Sequence, residues 1–151
     1  MKNTGFTLVE ILIVVIILGI LAAIVIPQFT QASQDARNSA LASDLQTLRS
    51  QCELFKVQHL DQYPSAMAGV TDGPTFIAIM SVKTNQDGTT TGTPTLGPYL
   101  QKWPTNGFVS GTAGSALTLG NTAGLASCTN GWYFDTTLGK MSAGDSAHSG
   151  L

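Results

Sequence analysis

Residues 11–26 read ILIVVIILGILAAIVI, sixteen consecutive positions without a charged or hydrogen-bonding side chain. Extended back to Phe6, the apolar stretch is interrupted only by Thr7 and Glu10. A helix of that length measures about 31 Å, which matches the hydrocarbon thickness of a bilayer. A core helix of a globular domain normally keeps a polar face, and this stretch has none. The stretch therefore predicts a membrane-spanning helix over residues 6–27.

The overall composition narrows the classes of function. The 151 residues suffice for one domain of ordinary size, charged residues make up only 11%, and the formal net charge is −2. That balance argues against a nucleic-acid-binding surface. The sequence has no G-x-S-x-G, H-E-x-x-H, P-loop or paired-carboxylate arrangement, so we expect a protein that is not an enzyme.

Two charged residues near the N-terminus bear on how the span is used. Lys2 precedes the apolar run and favours a cytoplasmic N-terminus, with the rest of the chain translocated. A cleaved secretory signal is the alternative, but the run is long and no A-x-A site follows in the right place. Glu10 is a carboxylate inside an apolar span, which is costly. Either it reaches the membrane interface or it awaits a positive partner, such as a new α-amino group at Phe6.

Residues 2–10, KNTGFTLVE, followed by the apolar helix, resemble the class III signal of type IV pilins and type II secretion pseudopilins. In that family a membrane peptidase cuts after the glycine, here Gly5, and methylates the new N-terminus, here Phe6. The resemblance thus makes residues 1–5 a leader peptide. A glycine gives an unhindered, flexible backbone at the bond to be cut.

The resemblance also implies a mode of assembly. The family's assembly glutamate corresponds to Glu10, and its helix-weakening glycine and proline correspond to Gly19 and Pro27. Because the cut precedes the apolar run, residues 6–27 are retained as the filament-core helix. The implied partners are copies of the chain in a helical filament, the prepilin peptidase and methyltransferase, an inner-membrane assembly platform, and the lipid bilayer before assembly.

The implied location is the bacterial inner membrane, with one pass, a cytoplasmic N-terminus and a periplasmic C-terminal domain. From there the subunit would enter a filament that spans the envelope or extends outside the cell. Residues 58–64, 97–100 and 131–134 look more loosely like the major type II secretion pseudopilin. A major-pseudopilin-like subunit is therefore the favoured subclass, with a surface pilin as runner-up. A single-span, membrane-anchored periplasmic binding module is the alternative from another class.

After Pro27 the predicted helix continues over residues 28–60 and becomes amphipathic. Its apolar face follows 4-3-4-3-4 spacing and comprises Leu41, Leu45, Leu48, Cys52, Phe55 and His59. Helix-breaking residues begin at Asp61, so residues 61–151 form the predicted periplasmic globular domain.

Short elements are expected within that domain. Residues 74–82, PTFIAIMSV, fit either a helix begun by Asp72 or a buried strand, and the proline favours the helix. Residues 116–119 are a short β-prone segment, and residues 132–141 read as a hairpin around a turn that carries glycine. The predicted fold is α+β: a long N-terminal helix packed against a small C-terminal antiparallel β-sheet.

Cysteine and histidine are few. Cys52 and Cys128 either form a disulfide in the periplasm or stay free as buried thiols, and spacing leaves both alternatives open. A zinc site made of these cysteines with His59 and His148 matches no paired-ligand spacing. We therefore expect no metal centre and no cofactor.

Calcium is the cation that the resemblance raises, because major pseudopilins often carry it near the C-terminus. Here only Asp145 remains beyond Asp135, and Asn85 with Asp87 makes a poor alternative. Since calcium needs several oxygen ligands on one tight loop, the sequence supports such a site poorly.

Overall fold

The computed structural model describes residues 5–151, so the predictions for Lys2 and most of the leader lie outside the described residues. Three short 3-10 helices separate the main elements, which are α1 (Leu8–Gln58), α2 (Gly73–Ser81), β1 (Leu117–Gly120), β2 (Trp132–Asp135) and β3 (Lys140–Ala143). The chain divides into two compact units, one ending at Asn38 and the other comprising Ser39–Leu151.

The first part of α1 lies in the unit that ends at Asn38. Every residue from Gly5 to Asn38 is exposed. The helical assignment runs without a break through Gly19 and Pro27. The weakening of the helix at these two positions therefore stays a prediction.

In the unit Ser39–Leu151, α1 supplies the apolar face that the spacing predicts. All six residues of that face are buried, from Leu41 to His59. The five of them that lie within α1, from Leu41 to Phe55, join a core with α2 and one face of the sheet, and His59 is buried just beyond the end of the helix. The helix ends at Gln58, because Leu60 and Asp61 take left-handed backbone conformations with φ of 55° and 63°.

The helical alternative for residues 74–82 is confirmed. The Asp72 carboxylate accepts a hydrogen bond from the Thr75 backbone N–H at 2.9 Å, and Pro74 occupies the first turn of α2. The first helical turn has backbone N–H groups without a partner inside the helix. The Asp72 cap binds one of them, and Pro74 has no N–H group that needs a partner.

The sheet is mixed, so the prediction of a purely antiparallel sheet is wrong. β2 and β3 form the predicted antiparallel hairpin, with Phe134 opposite Met141. β1, however, runs parallel to β2, with Leu117 opposite Trp132. The connection over residues 121–131 contains a 3-10 helix that returns the chain to the start of β1, and a crossover of this kind joins parallel strands.

Both cysteines are free, so the disulfide alternative is not realised. Cys52 lies in the core with Leu117 of β1. The Cys128 sulfur lies 3.6 Å from the hydroxyl of Thr118, the next residue of β1. Since successive side chains of a strand point to opposite faces, the two thiols lie on opposite sides of the sheet. Burial raises the pKa of the Cys52 thiol to about 12, which keeps it protonated and unreactive.

Candidate functional site

The segment that sequence predicts to be processed lies just before α1. Gly5 and Phe6 are exposed and non-helical, and α1 begins at Leu8. A Cβ added at Gly5 would meet no described atom within 4 Å. The bond between Gly5 and Phe6 therefore lies in exposed, non-helical chain.

Glu10 folds back onto the start of its own helix. Its Oε2 accepts two hydrogen bonds of 2.8 Å from Thr7, one from the backbone N–H and one from the hydroxyl. In return, the Glu10 backbone N–H donates to the Thr7 hydroxyl at 3.3 Å. This reciprocal arrangement is a capping box, which satisfies backbone donors at a helix N-terminus.

The role of Thr7 is the part of this site that the sequence analysis missed. The signal for it is the spacing of Thr7 and Glu10, because a threonine followed three residues later by glutamate marks a capping box. The cap uses only Oε2, and among residues 5–151 no other group donates to this carboxylate. Glu10 can therefore accept a hydrogen bond or charge partner from another chain while its own cap persists.

The surface next to Glu10 is apolar. Phe6 is 76% exposed and Leu8 82% exposed. In the part of the chain that the structure describes, α1 is the one helix long and apolar enough to cross a membrane. An apolar surface of this extent needs lipid or other protein around it.

The four residues of the zinc alternative are not brought together. His59 is buried, with Nδ1 donating to Phe55 O at 2.9 Å and Nε2 lying 2.9 Å from Thr84 Oγ1. His148 instead donates to Asp145. Within residues 5–151, no group of three or more His, Cys, Asp or Glu side chains is placed to hold a metal ion.

The carboxylates near the C-terminus do not fit a calcium site either. Asp145 Oδ1 accepts from Asn106 Nδ2 at 2.7 Å, and its Oδ2 accepts from His148. Although burial acts to raise it, these hydrogen bonds hold the pKa of Asp145 below its ordinary value. The second candidate loop is also occupied, since Asp87 Oδ1 accepts two hydrogen bonds from Thr89. Calcium would have to displace donors that already satisfy these oxygens.

Asp135 makes a testable contribution to acid stability. The Thr122 hydroxyl donates to its Oδ2 at 2.6 Å, and the N–H groups of Thr137 and Leu138 donate to its Oδ1. The bond from Thr122 and these N–H groups hold the pKa of Asp135 below its ordinary value of 3.8. Folding thus favours the ionised form, so this stabilisation is complete above that value and disappears as the pH falls through the lower folded-state pKa.

We expect Asp135→Asn to lower the unfolding temperature at neutral pH and to flatten its decline below about pH 4. Thermal unfolding followed by circular dichroism across pH measures both effects. Asp35→Asn, which removes an exposed carboxylate of α1, serves as the control and should keep the wild-type profile. Parallel pH profiles for Asp135→Asn and wild type would contradict this role.

A long apolar N-terminal helix followed by an α+β globular unit is consistent with the pilin fold. The prokaryotic N-terminal methylation motif matches residues 1–26. The chain is 36% identical over 69 residues to type II secretion system core protein G of Pseudomonas aeruginosa, which covers 46% of this chain and 48% of the relative. It is 28% identical over 108 residues to the protein of the same name from Dickeya chrysanthemi, covering 72% of this chain and 59% of the relative.

The chain is thus similar to pilins and type II secretion pseudopilins, as its N-terminal signal predicts. It spans about half the length of the Pseudomonas relative and 59% of the Dickeya relative. No solved structure matches it.

Proposed function

We propose that the chain is a structural subunit of a type II secretion pseudopilus or related type IV pilus-like filament. It is processed after Gly5, N-methylated at Phe6, and assembled through α1. The observation that carries the proposal is the exposed apolar first part of α1, with the methylation motif and a single carboxylate at its start. The similarity to core protein G favours a major-pseudopilin-like subunit over a surface pilin.

The exposed part of α1 suits two apolar environments in succession. Before assembly it lies in the bilayer, with the N-terminus cytoplasmic and the globular unit periplasmic. In the filament the same side chains pack against α1 of neighbouring copies. Because neither environment is aqueous, the apolar surface passes from lipid to protein without a large hydrophobic penalty.

Glu10 sets the axial register between neighbouring subunits in the filament. Cleavage after Gly5 creates an α-amino group at Phe6, and a neighbouring subunit can bring that amine to the Glu10 carboxylate. Two charges that are each unfavourable in an apolar core then neutralise one another. Within the single chain Thr7 already binds the carboxylate, so Glu10 has a partner at both stages.

The further partners of the chain follow from this route. A prepilin peptidase and methyltransferase acts on the segment around Gly5, and an inner-membrane assembly platform moves the subunit into the filament. No cofactor is required, because the role is one of assembly rather than catalysis. A membrane-anchored binding module would leave Gly5, Phe6 and Glu10 without a role.

The N-terminal mass of protein purified from cells tests the proposal. We expect the chain to begin at Phe6 and to carry one N-methyl group. The matched control is the same chain from cells that lack the prepilin peptidase, where it should begin at Met1. A Met1 start in peptidase-containing cells would support the membrane-anchored module instead. Electron microscopy of the sheared fraction then checks that the processed chain forms filaments.

A further inference from the structure

β3 is one of the two edge strands of the sheet, and yet its residues after Lys140 are buried. Met141, Ser142 and Ala143 are exposed by only 1%, 5% and 0%. An edge strand normally presents unpaired backbone groups that invite pairing with another chain. The cover must come from elements outside the sheet.

The hydrogen-bond pattern identifies the groups of β3 that point outward. The Gly144 N–H donates to Gly131 O at 3.0 Å, so residues 131 and 144 form a hydrogen-bonded antiparallel pair. Such pairs alternate along the ladder, which makes Tyr133 and Ser142 the next one. The backbone groups of Met141, between these pairs and the turn, therefore point away from β2.

Arg49 of α1 binds both this outward edge and Leu151. Its Nε donates to Met141 O at 2.9 Å, and its Nη2 donates to Leu151 O at 2.5 Å. One planar guanidinium therefore links Leu151 to β3. Arginine suits this position because its donors form a rigid fork.

A second anchor holds the other end of the same segment. Asn106 is 1% exposed, and its Nδ2 donates both to Gly131 O at 3.0 Å and to Asp145 Oδ1 at 2.7 Å. Asp145 in turn accepts from His148, whose ring packs against Phe108 with centroids 4.0 Å apart. Residues 144–151 are thus fixed near their start by a buried amide and at their end by Arg49.

We propose that residues 144–151 form a metal-independent clasp, fastened by Asn106 at one end and at the other by Arg49, which also binds the outward carbonyl of Met141 in β3. The oxygens of Asp145, the one carboxylate side chain in the segment, are already bound by protein donors. Protein donors thus already bind the oxygens that a cation would need. It concerns the folded subunit and does not depend on filament formation.

Hydrogen exchange of the full chain in detergent micelles tests the clasp, with one variant at each anchor. Asp145→Ala removes the acceptor for Asn106 and His148, and Arg49→Met keeps an apolar stem but loses both donated bonds. We expect amide exchange in residues 140–151 to accelerate about tenfold or more in each variant. Asp87→Ala is the matched control, because it removes a carboxylate that also accepts two local hydrogen bonds but lies outside the clasp.

Calcium provides the second measurement. The wild-type unfolding temperature and the exchange of residues 140–151 should be the same in excess calcium chloride and in EGTA. A calcium-dependent rise that Asp145→Ala abolishes would overturn the proposal and make Asp145 a cation ligand. Unchanged exchange in both anchor variants would overturn it as well, because the segment would then be held by something else. Arg49→Met leaves Asp145 intact, so the test survives if Asp145→Ala fails to fold.

Discussion

Gly5→Val should leave the chain at its precursor length in the inner membrane and absent from filaments. The residue before the cut lies in exposed, non-helical chain, and nothing described crowds it. A valine adds a β-branched side chain that restricts the backbone and fills the space next to the bond to be cut. A peptidase site shaped around glycine would then exclude the substrate, so processing should fall to a small residual fraction.

Intact mass and immunoblotting of membrane and sheared fractions measure the effect. Gly19→Val is the matched control, because it makes the same change at an exposed glycine inside the apolar helix, away from the cut. It should be processed normally. Normal cleavage and assembly of Gly5→Val would contradict the assigned cleavage position.

Local patterns predicted the helical parts of the globular unit. The face from Leu41 to His59 repeats at helical spacing, and each of its residues is buried as that spacing requires. Asp72 and Pro74 predicted α2, because a helix cap and a first-turn proline both act within one helical turn. The Gly139 turn marked the β2–β3 hairpin, and this glycine has the φ of 67° that such turns need.

The missed features depend on residues that are distant in sequence. The parallel pairing of β1 and β2 depends on the path of residues 121–131, and those residues carry no periodic signal for a crossover. Asn106 meets Asp145 across 39 positions, and Arg49 meets Leu151 across 102. A single polar residue in a loop looks the same in sequence whether it is solvated or buried, so the sequence did not predict the contacts of Asn106.

At the N-terminus the sequence predicted the site residues but not how Glu10 is held in the single chain. The capping box with Thr7 gives Glu10 a structural role that needs no second subunit. This creates two explanations for any Glu10 phenotype: loss of a helix cap, or loss of a charge that pairs with another subunit. The two explanations make different predictions for a neutral isostere.

Glu10→Ala removes both the cap and the charge, and we expect it to insert into the membrane but to reduce the yield of sheared filaments about tenfold or more. Loss of the Glu10 carboxylate would leave each Phe6 amine as an unpaired charge in an apolar filament core. Such an unpaired buried charge is more destabilising than the removal of both partners. Glu10→Gln separates the explanations, because glutamine also serves at this position of a capping box but carries no charge. If charge pairing sets the register, the glutamine variant should assemble nearly as poorly as the alanine variant, whereas a purely capping role would keep it near wild type.

The measurement is sheared-filament yield relative to the membrane-bound pool of processed chain, with Asp35→Ala as the control for removing a carboxylate from α1. Wild-type filament yield from Glu10→Ala would exclude an assembly role, because the hydrogen bonds to Thr7 would then be the one function left for the Glu10 carboxylate.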